Sequence, residues 1–145
     1  MTLADGSDGA LSYSNIGISE QIVTLSGDGA QISTLGLEAE GVYSYAYSST
    51  SIATQTVILS GDNTQITTQG NESEGVHAYG YYGGSTPQTV TLSGNNARIS
   101  TSGLNSEAIR LYSYADDAEQ TVTLSGDNAQ IYTCLLYTSP SPRDS

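Results

Sequence analysis

At 145 residues the chain has the length of one domain, and its 15 Asp and Glu against 3 Lys and Arg, net −12, exclude a nucleic-acid binder, since phosphate contacts need clustered cations. Lys, Phe and Trp are absent and there is one Cys, while Gly (16) and Tyr (11) are plentiful; with 37% hydrophobic and 12% charged residues, the remainder is rich in Ser, Thr, Asn and Gln, the profile of a β-rich, extracellular-looking repeat protein. No run of about 18 apolar residues could cross a bilayer, and the opening Met1-Thr2-Leu3-Ala4-Asp5-Gly6 has neither the basic nor the apolar region of a signal peptide.

In chain order, residues 7–13 form the first recognisable element. It returns at 39–45, 73–79 and 106–112. The second element, Gln-(Thr/Ile)-Val-x-Leu-Ser-Gly-(Asp/Asn), occupies 21–28, 55–62, 88–95 and 120–127, with successive copies starting 34, 33 and 32 residues apart. The third is 30–34, followed by 64–68, 97–101 and 129–133. Such a period marks one supersecondary unit copied in series. Thr2 falls in the column of Thr34, Thr68 and Thr101, and the pattern stops after Thr133, so residues 1–133 are expected to be a fragment of a β-helical repeat domain, truncated at both ends. Residues 134–145 break the repeat. The eleven residues from Cys134 to Asp144 resemble the translation of a transposase-type sequencing adapter, which makes the segment a non-native tail. Pro140 and Pro142 cannot donate to a ladder, and coil is expected there.

Each element alternates with period two, the mark of a half-buried strand. Val23/Leu25, Val57/Leu59, Val90/Leu92 and Val122/Leu124 share an inward face; Ile32, Ile66, Ile99 and Ile131 lie on the inward face of the third element. In the recurring first element, Val42/Ser44/Ala46, Val76/Ala78/Gly80 and Ile109/Leu111/Ser113 point inward, opposite the tyrosines. Ser-Gly-Asp-Asn at 60–63 and 125–128 supplies turn residues where positive φ is needed, and Asn71-Glu72 or Leu104-Asn105 marks a second bend. The third connection (48–54, 82–87, 115–119) varies in length and is expected to absorb the drift in spacing. Three strands and three bends, copied with identical columns, predict an all-β parallel β-solenoid of about 33 residues per repeat and roughly four rungs. A β-sandwich is the runner-up, but it gives no reason for each strand to meet its own copy.

The motif Thr-x-Gly-x-x-Ser-Glu-Gly-Val-x-Ala-Tyr (68–79), varied at 34–45 and 101–112, resembles the passenger repeats of bacterial autotransporters. The resemblance covers residues 2–133. It implies a right-handed β-helix of pectin-lyase-like shape, carried in a longer chain ahead of an outer-membrane barrel and displayed at the cell surface or secreted. It further implies a non-catalytic stalk or adhesin whose partner is a glycan or protein on a host or neighbouring cell, with no membrane contact by this segment and no cofactor.

No residue is assigned a catalytic, cofactor-binding or metal-binding role. His77, the sole histidine, has Leu11, Tyr43 and Arg110 in its column and is expected to face solvent without a partner. Asp8, Glu40, Glu74 and Glu107 form one acidic column, and Asp28, Asp62, Asn95 and Asp127 another; recurrence in every copy marks them as solvated turn acids, with Asp28, Asp62 and Asp127 fixing their own bends. The candidate binding surface is aromatic: Tyr13, Tyr45, Tyr79 and Tyr112 in one ladder, and Tyr47, Tyr81 and Tyr114 two residues on. Two alternatives stand beside the stalk. A carbohydrate-active enzyme of lyase or hydrolase type would need a groove gathering unlike polar residues from several rungs. An ice-binding face would use the outward threonines Thr24, Thr56, Thr89, Thr91, Thr121 and Thr123, which Ile22 and Ile58 interrupt.

Overall fold

The computed structural model describes residues 4–14, 19–47, 52–81, 85–115 and 117–134. Among the described residues twelve strands run in chain order: β1 Ala10–Ser14, β2 Ser19–Leu25, β3 Gln31–Thr34, β4 Val42–Tyr47, β5 Ala53–Leu59, β6 Gln65–Thr68, β7 Val76–Tyr81, β8 Gln88–Leu92, β9 Arg98–Thr101, β10 Ile109–Ser113, β11 Gln120–Leu124 and β12 Gln130–Thr133. They form three four-stranded sheets, β1-β4-β7-β10, β2-β5-β8-β11 and β3-β6-β9-β12, and every pairing is parallel. The protein is therefore a β-solenoid in which four copies of a three-strand unit stack like on like.

Registers follow the sequence columns. Gln21 meets Gln55, Gln88 and then Gln120, while Tyr13 meets Tyr45, Tyr79 and then Tyr112. Both sets stay aligned although their spacings differ, so the length differences fall between them, in the third connection. Much of that connection, like residues 135–145 where coil was expected, lies outside the described residues. The inward face is the expected one: Val57, Leu59, Ile66, Val76, Val90, Leu92 and Ile99 are buried in a single core, and Ser44, Ala46 and Ala78 are buried beside it.

Polar columns thread this core and are satisfied internally, as buried polar groups must be. Gln55 Nε2 donates to Gln21 Oε1 (3.1 Å), Gln88 Nε2 to Gln55 Oε1 (2.8 Å) and Gln120 Nε2 to Gln88 Oε1 (2.8 Å). The same amides reach backbone carbonyls of the tyrosine sheet, Gln88 Nε2 meeting those of Ala78 and Tyr112 at 3.0 Å each. This continuous glutamine ladder joins two sheets along the whole stack.

The turns carry two separate requirements. Left-handed backbone falls on Asn63, Asn96 and Asn128 in the first bend and on Glu38, Glu72 and Asn105 in the second. Gly94, by contrast, answers to close approach, because a Cβ there would run into the carbonyl of Gly61 in the copy beneath. The turn acids also act between copies. Asp62 N donates to Asp28 Oδ1 (3.2 Å), Asn95 N to Asp62 Oδ1 (2.8 Å) and Asp127 N to Asn95 Oδ1 (3.1 Å). The expectation that these acids close their own bends is corrected for Asp28 and Asp62: their carboxylates, and the Asn95 amide oxygen in the same column, accept from the backbone N–H of the next copy, since stacking brings that donor within reach.

Candidate functional site

The outward face of β1-β4-β7-β10 holds both features singled out in the sequence. Strand alternation puts the tyrosines outside because their neighbours Ser44, Ala46, Ala78 and Gly80 fill the inner face. The first ladder is continuous: Tyr13 and Tyr45 stack at 5.1 Å between centroids, Tyr45 and Tyr79 at 5.5 Å, and Tyr79 and Tyr112 at 5.2 Å, all within 18° of parallel. In the second, Tyr47 and Tyr81 stack at 5.8 Å, whereas Tyr114 meets Tyr81 edge-on at 5.3 Å and Tyr112 edge-on at 4.9 Å. Offset stacks and edge contacts are the arrangements that aromatic quadrupoles favour. All seven predicted tyrosines thus form one strip. Burial and, less strongly, the neighbouring phenols push the Tyr45 and Tyr79 hydroxyls above their usual range, and a hydrogen bond with Tyr114 does so first for Tyr112. Tyr45, Tyr79 and Tyr112 therefore stay uncharged at neutral pH.

Beside the strip, the acidic column and the histidine column meet in a cleft of about 510 Å³ whose lining includes Glu40, Tyr43, Glu74, His77, Glu107 and Arg110. Here the sequence expectation fails. His77 is only 13% exposed, and its Nδ1 lies 3.6 Å from Glu40 Oε1 and 3.9 Å from Glu74 Oε2. The Glu74 side chain is 4% exposed, and Arg110 holds its Oε1 at 3.2 Å. Glu74 is therefore a buried group and not a solvated turn acid. The difference has a physical source: His77 has no equivalent in its own column, and its partners stand in a different column, three residues earlier in its own copy and in the copy beneath. The His77 ring also sits 5.1 Å from that of Tyr43 and 6.2 Å from that of Tyr79, so cleft and strip form one surface.

Stacked carboxylates perturb each other. Asp8 is pushed up to about 7, by burial first and then by its hydrogen bond with the Glu40 side chain. Burial also raises Glu40, but the neighbouring His77 and Asp8 outweigh it and leave Glu40 below its usual range. Glu74 is raised, by burial and then by its contact with Glu107, against the opposing pull of His77 and Arg110. Asp8 and Glu74 are thus raised while Glu40 between them is lowered, as coupled like charges require.

The outward threonine columns are mixed as the sequence indicates: Ile22 is followed by Thr56, Thr89 and Thr121, and Thr24 by Ile58, Thr91 and Thr123. No protein-family model, no curated protein and no solved structure matches the chain.

Proposed function

We propose that this chain is a non-catalytic segment of a cell-surface or secreted bacterial autotransporter passenger, serving as a rigid stalk whose tyrosine strip is an adhesin-like binding surface. The observation that carries the reading is the strip itself: seven tyrosines from four copies on one face, held by a hydrogen-bonded parallel sheet. Tyrosine contributes large contact area with little rotamer entropy to lose, and its faces receive sugar rings or apolar protein side chains equally well. The autotransporter repeat motif at 68–79 supports the setting. A glycan array and a panel of surface proteins test the binding role. Ligands should bind the parent chain and be lost on Tyr79→Ala combined with Tyr112→Ala; binding that survives the double substitution would remove the strip from the account. Reading the complete gene tests the setting, where a C-terminal outer-membrane barrel is expected and a lipoprotein anchor or an in-frame lyase domain would overturn it.

A carbohydrate-active enzyme is the second reading, favoured by the cleft, which does gather unlike polar residues from several copies. Against it, Arg110 holds the Glu74 carboxylate at 3.2 Å, and carboxylates recur in this column in every copy where a catalytic pair would be unique. Release of reducing ends or unsaturated products from a polysaccharide panel, abolished by Glu74→Gln, would establish the enzyme in place of the stalk.

A further inference from the structure

The acidic column stacks like charges at every junction between copies, and each junction must offset that repulsion. Three different arrangements do so. Between the first and second copies, Asp8 Oδ1 accepts from the Glu40 backbone N–H at 3.2 Å. Between the third and fourth, the Arg110 guanidinium sits on Glu74 at 3.2 Å. Between the second and third, the residue in Arg110's column is His77, and an imidazole does not carry the fixed charge of a guanidinium.

The second observation is independent of the acids. Both ring nitrogens of His77 are buried, and neither has a hydrogen-bond partner; the 3.6 Å to Glu40 Oε1 is an ion-pair distance and lies beyond hydrogen-bond reach. A buried imidazole normally finds a partner for at least one nitrogen. This one is instead aimed between two carboxylates, and one of these, Glu74, is almost wholly buried.

We propose that Glu40, Glu74 and His77 bind one divalent transition-metal cation, with zinc the best match, which ties the second copy to the third. The three donor atoms lie within 4.8 Å of one another. Zinc bonds of ~2.0–2.2 Å span donor pairs up to about 4 Å apart, which the 3.6 and 3.9 Å separations from His77 meet. The two glutamates close the remaining gap by a small side-chain movement. An imidazole in the set selects against calcium and magnesium, which take oxygen donors, and in favour of zinc and its neighbours. The site is single, because Leu11, Tyr43 and Arg110 replace the histidine in the other copies. Its task is structural: it supplies at one junction the positive charge that Arg110 supplies at the next.

The test uses the full chain with Cys134→Ser, which removes the exposed thiol as a competing ligand, after stripping with EDTA. Titration with zinc chloride by calorimetry should give saturable one-to-one binding. In the same titration the ring protons of the only histidine should shift by NMR, and calcium chloride at equal concentration should leave them unmoved. His77→Gln and Glu40→Gln should each weaken zinc binding at least tenfold. Imidazole signals that ignore zinc, or that respond equally to calcium, would overturn the site, and this readout needs no substitution among the three ligands. Unchanged zinc affinity in a folded His77→Gln chain would overturn it as well.

Discussion

Strands β8 and β11 have the same sequence, Gln-Thr-Val-Thr-Leu, and opposite surroundings. In β8, Val90 and Leu92 are fully buried; in β11, Val122 and Leu124 are 44% and 46% exposed. The difference lies in neighbours, because β8 is flanked by β5 and β11, whereas β11 is paired with β8 alone among the described residues. A copy of this unit does not bury its own apolar face. Its core is made at the junctions, as expected when solenoid stability is a sum of unit and interface terms.

Truncation gives the largest contrast. Leu92→Ala should destabilise by about 2–5 kcal/mol, the range for a fully buried leucine, and Leu124→Ala by roughly 1 kcal/mol or less, as for a half-exposed one, both read from urea unfolding midpoints. Equal losses would mean that β11 is covered in solution. The glutamine ladder comes next. Gln88→Ala strips a donor from Gln55 Oε1 and from the Ala78 and Tyr112 carbonyls, and should cost about 1–3 kcal/mol through unsatisfied buried groups. The exposed Gln120→Ala should cost about 1 kcal/mol or less in the same assay.

Backbone strain should erase the contrast. Asn96 and Asn128 both hold positive φ, 56° and 58°, and left-handed backbone costs a residue such as alanine about 1–2 kcal/mol wherever it lies. Asn96→Ala and Asn128→Ala should therefore lose similar amounts; a large excess at Asn96 would show that its amide contact with Asn63 Oδ1 outweighs the local term.

The smallest effect is one of pH. A carboxyl raised from 3.8 to about 7 on folding holds its proton more tightly in the folded chain, so its contribution is fully present below pH 3.8 and is lost as pH rises through about 7. Asp8 is partly exposed, and solvent screening makes the change small. Unfolding midpoints between pH 4 and pH 8 should fall less steeply for Asp8→Asn than for the parent; identical slopes would mean that folding does not raise the Asp8 carboxyl through burial and its Glu40 neighbour.

The sequence makes the columns legible and leaves the relations between columns hidden. Period-two alternation and like-on-like copying give the three sheets, the inward Val57, Leu59 and Ile66, and the outward tyrosines, because a parallel stack writes each position in every copy. Gln55 and Gln88 were visible as a column, yet nothing in a single strand says that a glutamine between apolar positions is buried; that follows from its alternation with Val57 and Val90, and could have been found there. His77 was less accessible. Its environment is set by Glu40 in another copy and by Glu74 at a bend, and the geometry of the bend is fixed by the left-handed Glu72, an unusual residue to adopt that conformation.

The turn ladder, in which Asp28, Asp62 and Asn95 each cap the next backbone N–H along the chain, bears on how such a rod changes over generations. Every unit offers its successor a side-chain oxygen as acceptor and donates a backbone N–H to its predecessor, so recombination that adds or removes whole units rejoins a matched pair of corners. Loss of a partial unit leaves an acceptor facing the wrong backbone and shifts every inward side chain behind it. The solenoid can thus lengthen or shorten in steps of one strand spacing, ~4.8 Å, while intermediate lengths are penalised by the corners themselves.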